Sequence, residues 1–278
     1  MRVDLHLHTT ASDGQYAPAA LVSLAREHGL EVIAVTDHDT TAGVMEAQEA
    51  ALGSPLVIPG IELSAEDAAG DVHVLGYHID LDASPFQERI AYFRGERYSR
   101  GQRIVERLAD LGMPLAWERV LAIAEGGAIG RPHIARAMVE AHYVESVREA
   151  FDRFLHNGGP AYVARPRLSP EEAVELIHSA AGVAVLAHPG LLSDYMSILQ
   201  RLIPIGLDGV EVVHPSNPEN VRLHLKALAQ QHDLIMTGGT DFHGLDVKEG
   251  VLLGSVTPPT GCVAALQARA NQRRQMMN

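Results

Sequence analysis

Seven short runs rich in β-branched residues recur along the 278-residue chain, and their alternation with helical patterns restricts the fold more than any other feature. The runs are Val3 to Leu7, Val32 to Thr36, Leu56 to Ile61, Val72 to Tyr77, Val183 to Ala187, Val210 to Val213 and Leu234 to Thr237. Short, nearly continuous apolar runs suit parallel strands that are covered on both faces. The helices between them carry their own punctuation. Ser169-Pro170-Glu171-Glu172 reads as a capping box with proline at the first helical position, Asn217-Pro218 as a second cap, and Gly29 and Gly182 as C-terminal caps. Repeated βα units that close on themselves give an α/β barrel, and the chain is long enough to bury one together with an inserted lobe.

The strand signals stop between Phe86 and Arg167. Helical patterns run from Phe86 to Leu111, ended by Gly112, then from Arg131 to Ala141 and from Val144 to His156, before Asn157-Gly158-Gly159-Pro160 breaks the chain. The expected organisation is a barrel built from residues 1–85 and 168–278, with an inserted helical lobe at 86–167 that covers the substrate. The lobe differs in charge from its host. From Gln87 to Arg167 there are 13 Arg and no Lys against 10 acidic residues, a balance of +3, while the rest of the chain stands at −16. A net charge of −13 argues against a chain built to coat nucleic acid, whereas a locally cationic lobe suggests a surface that meets an anion. No apolar run approaches the roughly 20 residues of a membrane helix. The single cysteine, Cys262, cannot form an internal disulfide, so a reducing cytoplasm is the expected setting and packing the expected role of the thiol. Nothing points to a membrane or to an obligate protein partner.

Potential ligands gather at the strand ends. Side chains alternate faces along a strand, so His6 and His8 point the same way and can grip one ion while Leu5 and Leu7 pack behind them, with Asp13 five residues on. His38 follows the second strand, Glu62 the third, His73 lies in the fourth, His188 follows the fifth, and Asp241 and His243 follow the seventh. C-terminal strand ends of a βα barrel converge on one face, which would bring these six histidines and three carboxylates together. Mixed nitrogen and oxygen ligands without thiolates suit Mn²⁺, Zn²⁺ or Fe²⁺. Three carboxylates cannot neutralise three divalent ions, so such a site would favour an anionic substrate and a bridging hydroxide as nucleophile.

His6, His8, Asp13, the Thr36-Asp37-His38-Asp39 segment, Glu62, His73, the Ala187-His188-Pro189-Gly190 segment, Asp241 and His243 resemble the polymerase-and-histidinol-phosphatase (PHP) family of metallophosphoesterases. The resemblance implies a distorted seven-stranded (β/α)7 barrel holding two or three divalent ions, most often Mn²⁺, with catalysis centred on His6, His8, Glu62, His188, Asp241 and His243. It implies that His6, His8, Glu62 and Asp241 hold one ion, that Glu62 bridges to a second held by His73 and His188, and that Asp13, His38 and His243 hold a third. The insert segment Gly130-Arg131-Pro132-His133-Ile134-Ala135-Arg136 is similar to that of the 3′,5′-nucleoside bisphosphate phosphatase subgroup. That similarity implies removal of the 3′-phosphate, for example from adenosine 3′,5′-bisphosphate, with 5′-to-3′ trimming of short RNA as the alternative.

Around this set, Arg131, His133 and Arg165 are candidates to clamp a phosphate. Asp37 or Asp39 is expected to orient an imidazole from behind the ligands, and Glu211 and His214 to reach the edge of the site. His78, His142, His156, His178, His224 and His232 read as structural. Two other functions compete with this reading. An amidohydrolase would need a carbamylated lysine, and the chain has only Lys226 and Lys248, neither at a strand end. A metal-holding scaffold without activity is disfavoured by the unbroken ligand set.

Overall fold

A computed structural model describes all residues except 68, 69, 125, 165–167, 246–249 and 278. Its seven strands form one sheet in sequence order: β1 (Val3–Leu7), β2 (Val32–Val35), β3 (Leu56–Asp67), β4 (Gly70–Tyr77), β5 (Val183–Leu186), β6 (Gly209–Val213) and β7 (Ile235–Gly238). Beyond the last strand, Leu7 pairs with Phe242 as a parallel bridge, and the His8 amide donates to the Phe242 carbonyl at 3.0 Å, which draws the two sheet edges together into a nearly closed barrel. The close approach depends on Gly239. A Cβ there would stand 2.3 Å from the Cβ of His6, so only glycine lets the end of β7 lie against β1.

Two expectations about the sheet are corrected. β4 runs antiparallel to both β3 and β5, whereas the other pairings are parallel. Only residues 68 and 69 separate β3 from β4, and parallel neighbours need a crossover of a dozen or more residues, so the chain can only turn back on itself. The third strand also continues well past Ile61 to Asp67 as one arm of this hairpin. Glu62 therefore sits within a strand, paired with Leu75, and not beyond its end.

Three helices precede or flank the hairpin: α1 (Pro18–Glu27), α2 (Val44–Ala51) and the 27-residue α3 (Ser84–Asp110). The first half of α3 sends Phe86, Ile90 and Phe93 into the barrel's apolar cluster. Its second half, with α4 (Trp117–Ile123), α5 (Arg131–Glu140) and α6 (Val147–Ala150), buries Ile104, Leu108, Val120, Ile134 and Met138 in a cluster of its own. The expected helix over 144–156 is shorter: Ser146 caps α6, which widens into a π-helical turn at Phe151–Leu155. α7 (Pro170–Ser179), α8 (Tyr195–Leu202), α9 (Glu219–Gln231) and α10 (Cys262–Met277) complete the fold. The capping box of α7 forms as read, with Ser169 and Glu172 exchanging bonds. Asn217 does not cap α9. Its side chain instead accepts from the Gly190 amide and donates to the carbonyls of Glu211 and Val212. After α7 the left-handed residue is Ala181 (φ 52°), and Gly182 serves packing, because a Cβ there would meet Ile79 at 2.5 Å. Cys262, Leu266 and Ala270 of α10 pack against Leu5, Ala34, Ile58 and Val185 and close the barrel cluster, as expected for a structural cysteine. No helix among the described residues is long and apolar enough to cross a membrane.

His78, just past β4, is buried in the left-handed conformation (φ 56°), and its Nε2 has no hydrogen-bond partner. Burial, and then the Arg274 guanidinium, push its pKa down to about 4. The unfolded chain takes up this proton near pH 6.5 and the folded chain only near 4, so the group's effect on stability is nil above the unfolded value and grows as pH falls between the two. His78→Asn, which keeps a residue that tolerates this backbone, should remove on the order of 2 kcal/mol of acid destabilisation between pH 7 and 4. Urea midpoints measured against pH for both proteins test this, and parallel curves would contradict it.

Candidate metal centre

Glu62 lies at the middle of the site, fully buried. Its Oε2 stands 3.3 Å from His6 Nε2, 3.2 Å from His8 Nε2 and 3.1 Å from His38 Nδ1, and its Oε1 stands 2.9 Å from His73 Nδ1 and 3.0 Å from His188 Nε2. Asp241 Oδ1 faces His6 and His8 at 3.5 and 3.2 Å and His243 Nδ1 at 3.4 Å. Asp13 faces His243 Nε2 at 3.3 Å, with His8 Nδ1 at 3.8 Å and His38 Nε2 at 4.0 Å. The hairpin correction matters here: β3 and β4 carry Glu62 and His73 above the rim as neighbours on paired strands, Ser64 standing opposite His73.

This donor set fits divalent metal ions. Two ligands on one ion at about 2.1 Å stand roughly 3.0–3.4 Å apart, which is the separation seen around Glu62 and Asp241. The Nε2 atoms of His6 and His8, His38 Nδ1, Glu62 Oε2 and Asp13 Oδ1 are buried and lack hydrogen-bond partners, an arrangement that costs free energy unless a cation takes those lone pairs. Among the described residues three groups of converging ligand atoms draw on the nine, His6, His8, Glu62 and Asp241; His8, Asp13, His38 and His243; and His38, Glu62 and His73, while a fourth joins His6 to Glu211 and His214. His188 Nε2 lies 3.3 Å from His73 Nδ1 and so joins the third group. All nine residues read from the sequence are thus brought together.

The local backbone is strained where it delivers these ligands. His188 (φ 28°), Asp241 (φ 54°) and Asp39 (φ 52°) all adopt positive φ directly after strands or their short extensions, a conformation costing of order 1–3 kcal/mol that persists only where the surroundings enforce it. Glu211, fully buried on β6, does part of this enforcing: its Oε2 accepts from the His188 amide at 2.8 Å and its Oε1 lies 3.1 Å from His6 Nδ1. A carboxylate behind a metal-binding imidazole fixes its tautomer and raises its basicity. His214 is buried beside it. The Ser216 amide donates to His214 Nδ1, which leaves the proton of the neutral ring on Nε2, 3.6 Å from Asp241 Oδ2.

Of the two aspartates beside His38, one of which is expected to orient an imidazole, Asp37 reaches His8 through the Ser12 hydroxyl. Asp37 accepts from the Thr9 amide and hydroxyl at 2.7 Å each and from the Ser12 hydroxyl at 2.6 Å, bracing the loop after β1, and that hydroxyl lies 3.5 Å from His8 Nδ1. Asp39 accepts from the Ser64 amide and pairs with Arg97 Nε at 2.5 Å. Protons and metal ions compete for the same imidazoles. Burial alone would lower the pKa of His8, but the adjacent Asp241 and Glu62 carboxylates push it up to about 9, whereas burial carries His38 down to about 3.

A cavity of about 170 Å³ opens beside the ligands, its lining shared by Asp13, His38 and His73 with Arg97, Arg100 and Arg131 and with Asp71 and Ser64. Arg131 is held by Asp71 at 2.8 Å, the Leu155 carbonyl and Asn157, and Arg97 Nη2 donates to Ser64 Oγ. Arg100 donates from Nε to the Val163 carbonyl. His133 is placed differently from expectation: buried at 1 % exposure, its Nδ1 accepts from the Gly130 amide, so it caps α5 and does not line the cavity. Arg165 lies outside the described residues. Arg97 and Arg100 went unnoticed among the lobe's arginines, although their i,i+3 spacing on α3 was a signal that both face one side.

Comparison with known proteins agrees with this geometry. The model of the PHP domain family matches residues 4–181, more than half of the chain. A 5′-3′ exoribonuclease Rnm of Salmonella typhimurium is 38 % identical over 247 residues, covering 86 % of this chain and 84 % of the relative. A 3′,5′-nucleoside bisphosphate phosphatase of Chromobacterium violaceum is 32 % identical over 249 residues, 87 % of each chain. Among solved structures, a protein of Bifidobacterium adolescentis provisionally described as a metal-dependent phosphoesterase superposes with a TM-score of 0.88 at 38 % identity, covering 96 % of both chains.

Proposed function

We propose that this chain, which belongs to the PHP family and is a metal-dependent phosphoesterase, hydrolyses the bond between the 3′-oxygen and phosphorus of a nucleotide that carries a 5′-phosphate. The observation supporting this reading is that Arg97, Arg100 and Arg131 line the same small cavity as His38, His73 and Asp13. The ligand set deals with the phosphate being cleaved, so a set of guanidinium groups beside it suits a second phosphate on the same substrate.

Divalent ions held by His6, His8, Asp13, His38, Glu62, His73, His188, Asp241 and His243, for which Mn²⁺ is our assignment, make water nucleophilic at neutral pH and offset the charge that develops on phosphorus. The remaining work falls to the chain. Glu211 and the Asp37–Ser12 pair keep His6 and His8 aimed, and the arginines fix the distance between the two phosphates. Water adds to phosphorus, the bond to the 3′-oxygen breaks, and the 3′-oxygen leaves with a proton.

One bond-breaking step serves two named substrates. With a 3′,5′-bisphosphate the phosphorus leaves as inorganic phosphate, and with a 5′-phosphorylated RNA it leaves on the 5′-oxygen of the next nucleotide; the product in either case is the 5′-nucleotide. Removal of the 3′-phosphate from 3′,5′-bisphosphates is our leading assignment, and 5′-to-3′ trimming of short RNA is the second reading, favoured by the exoribonuclease relatives. The amidohydrolase reading is disfavoured by its lysines: Lys226 lies on α9, and Lys248 falls outside the described residues.

A panel of nucleoside 2′-, 3′- and 5′-phosphates, 3′,5′-bisphosphates and short RNAs with 5′-phosphate or 5′-hydroxyl ends, assayed with added Mn²⁺, tests the reading. Preference for substrates with a 5′-phosphate and a 3′-phosphoryl group is expected. Equal rates with and without the 5′-phosphate would rule it out.

A further inference from the structure

On α3, away from Arg97 and Arg100, lies an apolar groove of about 610 Å³ that the metal centre does not use. Ala91, Arg94, Gly95 and Tyr98 of the helix form one wall, and the segment from Gly126 to Ile129 forms the other. Ile129 is shared with a small cleft lined by Arg97, Arg100 and Arg131, so the groove adjoins the arginine cavity through common walls.

Three observations say what would fill it. Gly95 sits inside a 27-residue helix, where glycine is among the poorest formers; its φ is not positive, and a Cβ there would meet nothing within 4 Å. Neither turn geometry nor packing calls for glycine, and what its absent side chain leaves open is the groove. Tyr98 is 40 % exposed and fixed in orientation, since its hydroxyl accepts from Trp117 Nε1 at 3.0 Å and the two rings meet edge to face at 5.2 Å. Arg94 supplies a cation, no described acidic side chain lines the groove, and Arg89 stacks on Tyr92 and Phe93 earlier along the helix. A rigid, half-open aromatic interleaved with arginines on an open backbone is the arrangement that holds single-stranded nucleic acid by base stacking and phosphate attraction.

We propose that this groove binds the part of a single-stranded oligonucleotide that lies beyond the bond being cleaved, a base stacking on Tyr98 with a backbone phosphate near Arg94. The proposal rests on the reading that the first nucleotide lies in the cavity shared by the metal ligands and the arginines, and it would make oligonucleotides substrates in their own right.

Gly95→Leu fills the groove with a better helix former, and Tyr98→Ala removes the platform. The test is binding of a 3′-labelled, 5′-phosphorylated phosphorothioate RNA hexamer to the metal-loaded enzyme, followed by fluorescence anisotropy, beside kcat/KM for a 3′,5′-bisphosphate. Both variants should bind the hexamer roughly tenfold or more weakly and turn over the bisphosphate as before. Undiminished hexamer binding in both, or an equal loss on the bisphosphate, would overturn the assignment. Anisotropy reads the groove without any turnover, so failure of the phosphatase assay alone would count against the reaction proposed above and not against the groove.

Discussion

Glu62→Gln leaves a folded protein that no longer retains its metal ions and hydrolyses phosphate esters at least on the order of 10³-fold more slowly. The expectation rests on the position of this one carboxylate, whose two oxygens lie within 3.3 Å of a nitrogen on each of five imidazoles. Glutamine has the same shape but a weakly donating carbonyl oxygen and an amide nitrogen that cannot ligate, so the charge and half of the bridge are lost together. The fold survives because Glu62 packs among polar ligands, while Ile61 and Leu63 on the other strand face hold the apolar core. Metal analysis beside circular dichroism checks both halves of the statement. A variant with wild-type metal content and rate would show that Glu62 is not a ligand.

The second large effect belongs to Arg131. Arg131→Ala should lower kcat/KM for a 3′,5′-bisphosphate by roughly 10- to 150-fold, the equivalent of about 1.5–3 kcal/mol for one charge-assisted contact, while a 3′-monophosphate is turned over nearly as before. Selectivity is the essential part. Arg131 also ties the lobe together through Leu155 and Asn157, and a purely structural loss would depress both substrates alike. Arg97→Ala should behave in the same direction, with more disturbance of the site because Arg97 also holds Asp39, which in turn binds the Ser64 amide.

The strands and the metal ligands were legible because both are written in local pattern. A β-branched run followed at once by His, Asp or Glu needs no partner to be noticed, and His6 and His8 share a face by alternation alone. What lay between distant residues was not legible. The antiparallel course of β4 depends on a two-residue connection, Ala68-Ala69, that carries no turn signature, so Glu62 was placed beyond a strand that in fact continues. Arg97 matters because Asp39, 58 residues away, meets it in space, and nothing in the sequence of α3 announces that contact beyond the spacing to Arg100. His133 looked like a phosphate ligand because it follows Arg131-Pro132, but the same spacing places its ring on the free Gly130 amide at the start of α5, where it is consumed as a cap. Glu211 and His214 were placed at the edge of the site, whereas Glu211 on β6 reaches His6 and His214, just past that strand, lies 3.6 Å from Asp241, both supporting the site from behind.

Metal dependence of the bisphosphate reaction tests the central claim most directly. The protein is stripped with a chelator, its residual metal is measured, and Mn²⁺ is returned in fractions of an equivalent while phosphate release from adenosine 3′,5′-bisphosphate is followed. The account predicts no turnover in the stripped protein, a rise that saturates at two or three equivalents, and the 5′-nucleotide as product. Full activity in protein shown to be free of metal, or phosphate released from the 5′-position, would contradict it.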